Sequence, residues 1–280
     1  MTTQIIGNVF EQLNWLKIEE ELLACQKIAP CVSYPDDFSG LMRTYPLWNQ
    51  SGAPKDAYLY KYEGAAQITD IGIKLSHLSN LVKNTFHLEF LKLCRLHEYT
   101  SETFFLPHRD YLDGSAEIGE IYTRMYIPVK IQEKCWNSYE EEVFDLELGD
   151  LVFHDGSLVH SVCNFSSESR FRLEFDFDPQ IPVEDLFKDK SVLKFKELKS
   201  IPREPFSEED LSNLLELAAK IINCYNFKDM AVLFGKIHFQ KNVNCALIYD
   251  WLQTVVEKTG NSDLLELNSK TRWHLVDRKL

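Results

Sequence analysis

Residues 122–131 and 170–177 alternate with the two-residue period of a β-strand, and apolar residues at helical spacing lie on both sides of them. Together these patterns predict a mainly β fold with flanking helices. The architecture that accommodates them is a double-stranded β-helix, a jelly-roll barrel of the cupin-like kind, followed by a C-terminal helical region. The expected organisation is a barrel with N-terminal helices over residues 1–180, a linker over 181–205 and the helical region over 206–280.

Near the start, Ile18, Leu22 and Cys25 follow helical spacing, as do Ile68, Ile71, Leu75, Leu78 and Val82, so two amphipathic helices are expected against the outside of a sheet. Between them Pro30, Pro35, Pro46, Gly52 and Pro54 break the chain into turns and short extended pieces. From Phe86 to Arg172 the pattern is that of strands. Thr123, Met125, Ile127, Val129 and Ile131 alternate with Tyr122, Arg124, Tyr126, Pro128 and Lys130, a sheet with two unlike faces. Stricter still, Phe171, Leu173, Phe175 and Phe177 oppose Arg170, Arg172, Glu174 and Asp176. The apolar face is core, and Arg172, Glu174 and Asp176 read as a solvated face. Pro179 and Pro182 close the strand region, and a charged stretch over 184–204 follows. Ser207-Glu208-Glu209-Asp210 has the form of a helix start, continued by the stripe Leu211, Leu214, Leu215, Ala218 and Ile222. Further helices are expected over about 227–238 and 246–255.

The 280 residues suffice for one domain with a substantial core and a smaller appendage. A formal charge of -13 argues against nucleic acid or an anionic membrane surface as partner, since both favour basic proteins. There is no basic-then-apolar leader and no apolar run near the roughly 18 residues of a spanning helix, so a cytoplasmic location is expected. The seven cysteines include no CxxC pair and read as reduced, mostly buried thiols.

The chemistry is concentrated in His108-Arg109-Asp110. On an extended strand, side chains at i and i+2 share a face roughly 7 Å apart, so His108 and Asp110 can approach one metal ion from the same side. A strand His beside an Asp is more often a surface pair, so a third ligand must be found. The run from Gly149-Asp150 to Val159-His160 supplies it as a turn, a short strand and a loop that delivers His160. Two imidazoles and one carboxylate leave three coordination positions open, the arrangement suited to non-haem Fe(II) and oxygen. Arg170 follows ten residues after His160.

This ordered set resembles the Fe(II)/2-oxoglutarate dioxygenases. Pro107-His108-Arg109-Asp110-Tyr111-Leu112, Glu133-Lys134-Cys135 and Asp155-Gly156-Ser157-Leu158-Val159-His160-Ser161 narrow the resemblance to the aspartyl/asparaginyl β-hydroxylase-like branch. Within it the chain is similar to the bacterial L-proline cis-4-hydroxylases and free-lysine 4-hydroxylases. Met1-Thr2-Thr3 with Ile6-Gly7, Asn49-Gln50-Ser51-Gly52, and Lys236-Ile237-His238-Phe239 through Trp251-Leu252 also fit that group, so the resemblance spans almost the whole chain.

The resemblance implies Fe(II) held by His108, Asp110 and His160, with 2-oxoglutarate chelating through its 1-carboxylate and 2-oxo group. Arg170 would pair with the 5-carboxylate, a task that suits a planar guanidinium. It further implies O2 as oxidant and hydroxylation of an unactivated carbon of a free L-amino acid, C4 of proline or of lysine, with release of succinate and CO2. Tyr126, where relatives often carry a His, is expected beside the co-substrate. Arg124 is the expected handle for the substrate carboxylate and Arg95 a weaker one, against the alternative of surface arginines. His154, six residues before His160, reads as a packed or partly exposed imidazole, as do His87, His97 and His238, and Arg109 is assigned no role. Two other readings are a peptidyl Asp/Asn-type hydroxylase, which requires an exposed groove, and a non-catalytic cupin-like module, which would normally lack a ligand or the arginine.

Overall fold

The computed structural model describes residues 2–32, 34–60, 63–111 and 122–278; Met1 and Leu112, which carry part of the resemblance, lie outside them. The strands are β1 (Gln4–Asn8), β2 (Phe38–Ser39), β3 (Met42–Asn49), β4 (Gln67–Ile68), β5 (Leu91–Tyr99), β6 (Thr103–His108) and β7 (Thr123–Lys130). They continue with β8 (Asn137–Tyr139), β9 (Glu142–Asp145), β10 (Asp150–His154), β11 (His160–Asn164), β12 (Arg170–Phe177), β13 (Leu193–Lys196) and β14 (Lys199–Ser200). The helices are α1 (Trp15–Ala24), α2 (Asp70–Lys74), α3 (Ser76–Thr85), α4 (Glu208–Ile221), α5 (Phe227–His238), α6 (Leu247–Thr259) and α7 (Ser262–Arg272).

Two antiparallel sheets face each other as a jelly roll. One runs β13-β1-β10-β7-β12-β5-β3-β4 and the other β14-β9-β8-β11-β6-β2. The eight-stranded sheet turns Met125, Ile127, Phe171, Leu173, Phe175 and Phe177 outward, where they pack with Ile18 and Leu22 of α1 and with Leu78 and Val82 of α3. The six-stranded sheet turns Phe104, Leu106, Val143 and Cys163 outward against α4 to α7. The two largest apolar cores therefore lie outside the two sheets, under helices, and the space between the sheets is shared by polar side chains and two smaller apolar clusters, one around Tyr126, Phe144 and Val152 and one around Met42, Phe105 and Val162.

The mainly β barrel with flanking helices is as expected, and local details differ for identifiable reasons. The helix expected through 68–82 is two: the backbone leaves the helical region at Leu75 (φ -90°, ψ 63°), which divides α2 from α3. The exposed first amides of α3 are taken by Glu21 of α1, whose carboxylate accepts from His77 N (2.7 Å) and Leu78 N (2.9 Å). The stretch read as a linker contributes β13 to the edge of the larger sheet, beside β1, and β14 to that of the smaller, beside β9. Ser207 caps α4 by accepting from Asp210 N at 3.0 Å. No helix is expected beyond α6, yet α7 follows and runs into a π-helical turn, Trp273–Asp277. No helix of the described residues is long and apolar enough to cross a membrane.

The charged face of β12 is the clearest correction. Arg172, Glu174 and Asp176 do not face solvent: Glu174 is 2% and Asp176 1% exposed, and Arg172 is half-buried. They point between the sheets because helices already cover the outer face.

Candidate metal centre and its cavity

Residues of both sheets line one cavity, reaching from His97 and Glu174 to the C-terminal turn. His108 ends β6 and His160 begins β11, and the two are register partners on adjacent strands, with ring centroids 4.3 Å apart. His108 Nδ1 donates to Leu106 O (2.8 Å) and His160 Nδ1 to Leu158 O (2.9 Å). A carbonyl can only accept, so each imidazole is fixed with its Nε2 lone pair free. Both Nε2 atoms point at Asp110 Oδ1, from 3.7 and 3.6 Å. An ion bound at about 2.1 Å by ligands at right angles needs their atoms about 3 Å apart, close to what this trio offers. Among the described residues these three alone form such a group.

Asp110 is placed by backbone as well as charge. Its N–H donates to Gly156 O (2.8 Å), and a Cβ at residue 156 would fall on its carboxylate, so the approach requires glycine. Arg124 then clamps it: Nη1 donates to Asp110 Oδ2 (2.7 Å), while Nε and Nη2 hold both oxygens of Asp176 at 2.7 and 3.1 Å. Burial pushes the Asp110 carboxyl up, but the Arg124 cation and the His160 and His154 imidazoles outweigh it and hold it well below the usual carboxylate range. Burial drives the His108 and His160 imidazoles the other way, downward, so both stay neutral and able to bind a cation.

This departs from the expectation that Arg124 presents a free fork to a substrate. Its fork is closed on Asp176, so the geometry makes it a residue that positions a ligand. Arg95 is likewise engaged, donating to Ala57 O (2.8 Å) and Glu174 Oε1 (2.5 Å). Arg172 donates to Glu174 Oε2 (2.6 Å) and lies over the rings of Tyr99 and Tyr126 (5.2 and 4.9 Å). The three guanidinium groups are thus matched by Asp110, Glu174 and Asp176.

Arg170 is 1% exposed and bridges the sheets, donating to Cys163 O (3.2 Å) and Asn137 Oδ1 (3.3 Å). It touches the wall residue Asn137 without being a wall residue, whereas Arg172 and Tyr126 are both on the wall. Around it, Arg170 Nε, Arg172 Nε, Asn137 Nδ2 and Ser138 Oγ are buried and have no partner among the described residues. Buried donors left unpaired are costly, and a set of four fits a compact dicarboxylate such as 2-oxoglutarate.

His154, expected as a packed or partly exposed imidazole, is partly buried and its side chain enters the cavity, with Nε2 3.6 Å from Asp110 Oδ2 and its ring edge-on to His160 at 4.3 Å. The signal was available: His154 shares a strand face with Val152, which packs against Tyr126 and Phe144 between the sheets. His97 and His238 are buried as expected, and His87 is half-exposed. Arg109, assigned no role, lines the cavity and donates to Ser157 O.

Comparison with known proteins decides the family. The aspartyl/asparaginyl beta-hydroxylase profile matches residues 12–179, and an L-proline 3-hydroxylase C-terminal profile matches 183–279. The chain belongs to the aspartyl/asparaginyl beta-hydroxylase family. This is a family of non-haem Fe(II)- and 2-oxoglutarate-dependent oxygenases, and the chain is an enzyme of that class. Family members similar to it include an L-proline cis-4-hydroxylase from Rhizobium meliloti (strain 1021), 24% identical over 95% of this chain and 92% of that protein. An L-proline cis-3-hydroxylase from Streptomyces sp is 27% identical over 100% of this chain and 96% of the relative. A second from the same source is 25% identical over 97% and 94%.

Proposed function

We propose that this enzyme hydroxylates an unactivated ring or chain carbon of a free L-amino acid, L-proline first among them, with Fe(II), 2-oxoglutarate and O2. The observation that carries the substrate class is the end-to-end likeness to relatives named as L-proline cis-4- and cis-3-hydroxylases. Lysine, compatible with the sequence, has no such support.

In this reading His108, Asp110 and His160 hold Fe(II) through Nε2, Oδ1 and Nε2. Arg170, with Asn137 and Ser138, receives the far carboxylate of 2-oxoglutarate, and Tyr126 stands beside it. Bound there, the metal and co-substrate supply the oxidising power. The chain's own part is geometric. Arg124 fixes the Asp110 carboxylate so that the ligands are preorganised, and the neutral imidazoles leave their lone pairs free. The seven unpaired cysteines suit a reducing cytoplasm.

The test is incubation with Fe(II), 2-oxoglutarate and, separately, L-proline, L-lysine and prolyl or aspartyl peptides, following succinate and the hydroxylated product by mass spectrometry. Free proline should give succinate and hydroxyproline in equal amounts. Turnover of peptides alone would replace this reading with the peptidyl one.

A further inference from the structure

The charges lining the cavity can be paired off. Asp110 and Glu174 are matched by arginines, which leaves Asp37 as the wall carboxylate without a cationic partner among the described residues. Of the wall arginines, Arg109 and Arg278 have no carboxylate partner among the described residues; Arg109 donates to Ser157 O, whereas the buried Nε of Arg278 is unpaired. Asp37 and Arg278 are joined by one ring. Arg278 Nη2 stands 2.5 Å from His274 Nδ1, and His274 Nε2 stands 2.9 Å from Asp37 Oδ1. A guanidinium only donates, so Nδ1 accepts from Arg278 and Nε2–H donates to Asp37.

The turn that carries these groups is docked on the metal-ligand segment itself. Arg109 N, between His108 and Asp110, donates to Leu275 O (2.8 Å), and Tyr111 Oη donates to Val276 O (2.8 Å). Arg278 lies over the rings of Tyr111 (4.9 Å) and Trp273 (5.5 Å), which fixes a long side chain at low entropic cost. The turn is π-helical, a rare geometry that is frequent at functional sites.

We infer that this C-terminal turn is the substrate-recognition element: Arg278 takes the α-carboxylate and Asp37 the α-nitrogen of the free amino acid. The two charges lie one imidazole apart. An amino acid whose ammonium and carboxylate share one carbon spans that gap when each end adds a hydrogen bond of about 2.8 Å. A peptide bond at either end removes the charge that its partner reads, so the turn selects free amino acids over peptide residues. The inference rests on the proposed substrate class and names the residues that enforce it.

The experiment uses the full-length Fe(II) enzyme with L-proline and L-prolinamide, comparing wild type with Arg278→Gln, Arg278→Lys and Asp37→Asn. Calorimetric titration of L-proline into the Ni(II)- and 2-oxoglutarate-loaded proteins provides a readout apart from turnover. Arg278→Gln should raise KM and Kd for L-proline about tenfold or more, with KM for 2-oxoglutarate unchanged and Arg278→Lys intermediate. Prolinamide should be poor for wild type but suffer no further loss in Arg278→Gln, because the mutation and the amide delete the same contact. Asp37→Asn should weaken proline binding while the penalty for prolinamide remains. An unchanged affinity for L-proline in Arg278→Gln, or a prolinamide penalty as large as in wild type, overturns the assignment. Failure of the wild-type enzyme to bind or turn over free amino acids would overturn the substrate class instead, and this inference with it.

Discussion

The two faces of the eight-stranded sheet are about equally buried and do opposite work. On β12, Phe171, Leu173, Phe175 and Phe177 are 0 to 5% exposed on the outer face, while Arg170, Glu174 and Asp176 are 1 to 2% exposed on the inner. The outer face gains its stability from apolar area removed from water, roughly 25 cal/mol per Å². The inner face removes charges from water, which is unfavourable unless each finds a partner. It is tolerable here because Arg95, Arg124 and Arg172 meet Glu174, Asp176 and Asp110 at 2.5 to 2.7 Å. One face holds the barrel together, and the other maintains a preorganised polar site at the expense of stability.

Substitutions on the two faces should therefore fail differently. The largest effect is expected for Asp110→Ala, which removes a proposed metal ligand and the partner of Arg124 together and should abolish succinate formation. Next come neighbours on one strand. Phe175→Ala should cost about 3–5 kcal/mol in urea unfolding through its cavity, with iron affinity retained by the folded fraction. Glu174→Gln should cost a similar 3–5 kcal/mol by leaving buried guanidinium groups unmatched, and should also disturb the active site. Equal activity per folded molecule in the two variants would erase the distinction between the faces.

Acid should expose the same asymmetry. Burial lowers His97, on the inner face, and His238, in the C-terminal layer, from 6.5 to about 4. Both are neutral when folded but take up a proton near pH 6.5 when unfolded. Stability should thus be flat above pH 6.5 with respect to these groups and fall as pH drops from 6.5 to 4, by on the order of 1.4 kcal/mol per pH unit for each. Denaturant titrations across that range should show a shallower slope for His238→Gln. An unchanged slope would mean that this imidazole is not held neutral.

A smaller effect separates two arginines. Arg170→Lys should weaken 2-oxoglutarate by about 1–3 kcal/mol, since a fork becomes a point charge. It should leave the KM for the amino acid nearly unchanged. If Arg172→Lys produces that loss and Arg170→Lys does not, the wall residue is the anchor.

The grouping of His108, Asp110 and His160 was legible because the three lie in short, recognisable stretches of the sequence. His108 and His160 are set by register on neighbouring strands, but Asp110 lies past the end of β6, so it is its N–H bond to Gly156 O rather than the β period of a shared strand that places it; the β12 alternation was equally plain. What the alternation could not say is which side of the sheet is wet. A polar face looks the same whether it meets solvent or a row of countercharges, and Arg124 pairs with Asp176 across 52 positions of sequence. For the same reason Arg124 was read as free for a substrate. The Asp37–His274 contact joins residues 237 positions apart, across a turn with no amphipathic signature, and no local pattern could have announced it.

The central claim is that the inner face builds its metal site from His108, Asp110 and His160, although His154 lies as close to Asp110 as His160 does. Anaerobic Fe(II) titration of His160→Ala against His154→Ala tests it most directly. The account predicts that His160→Ala loses Fe(II) affinity by on the order of a hundredfold or more, while His154→Ala binds within a few-fold of wild type. Loss of affinity in His154→Ala with His160→Ala unaffected would contradict it.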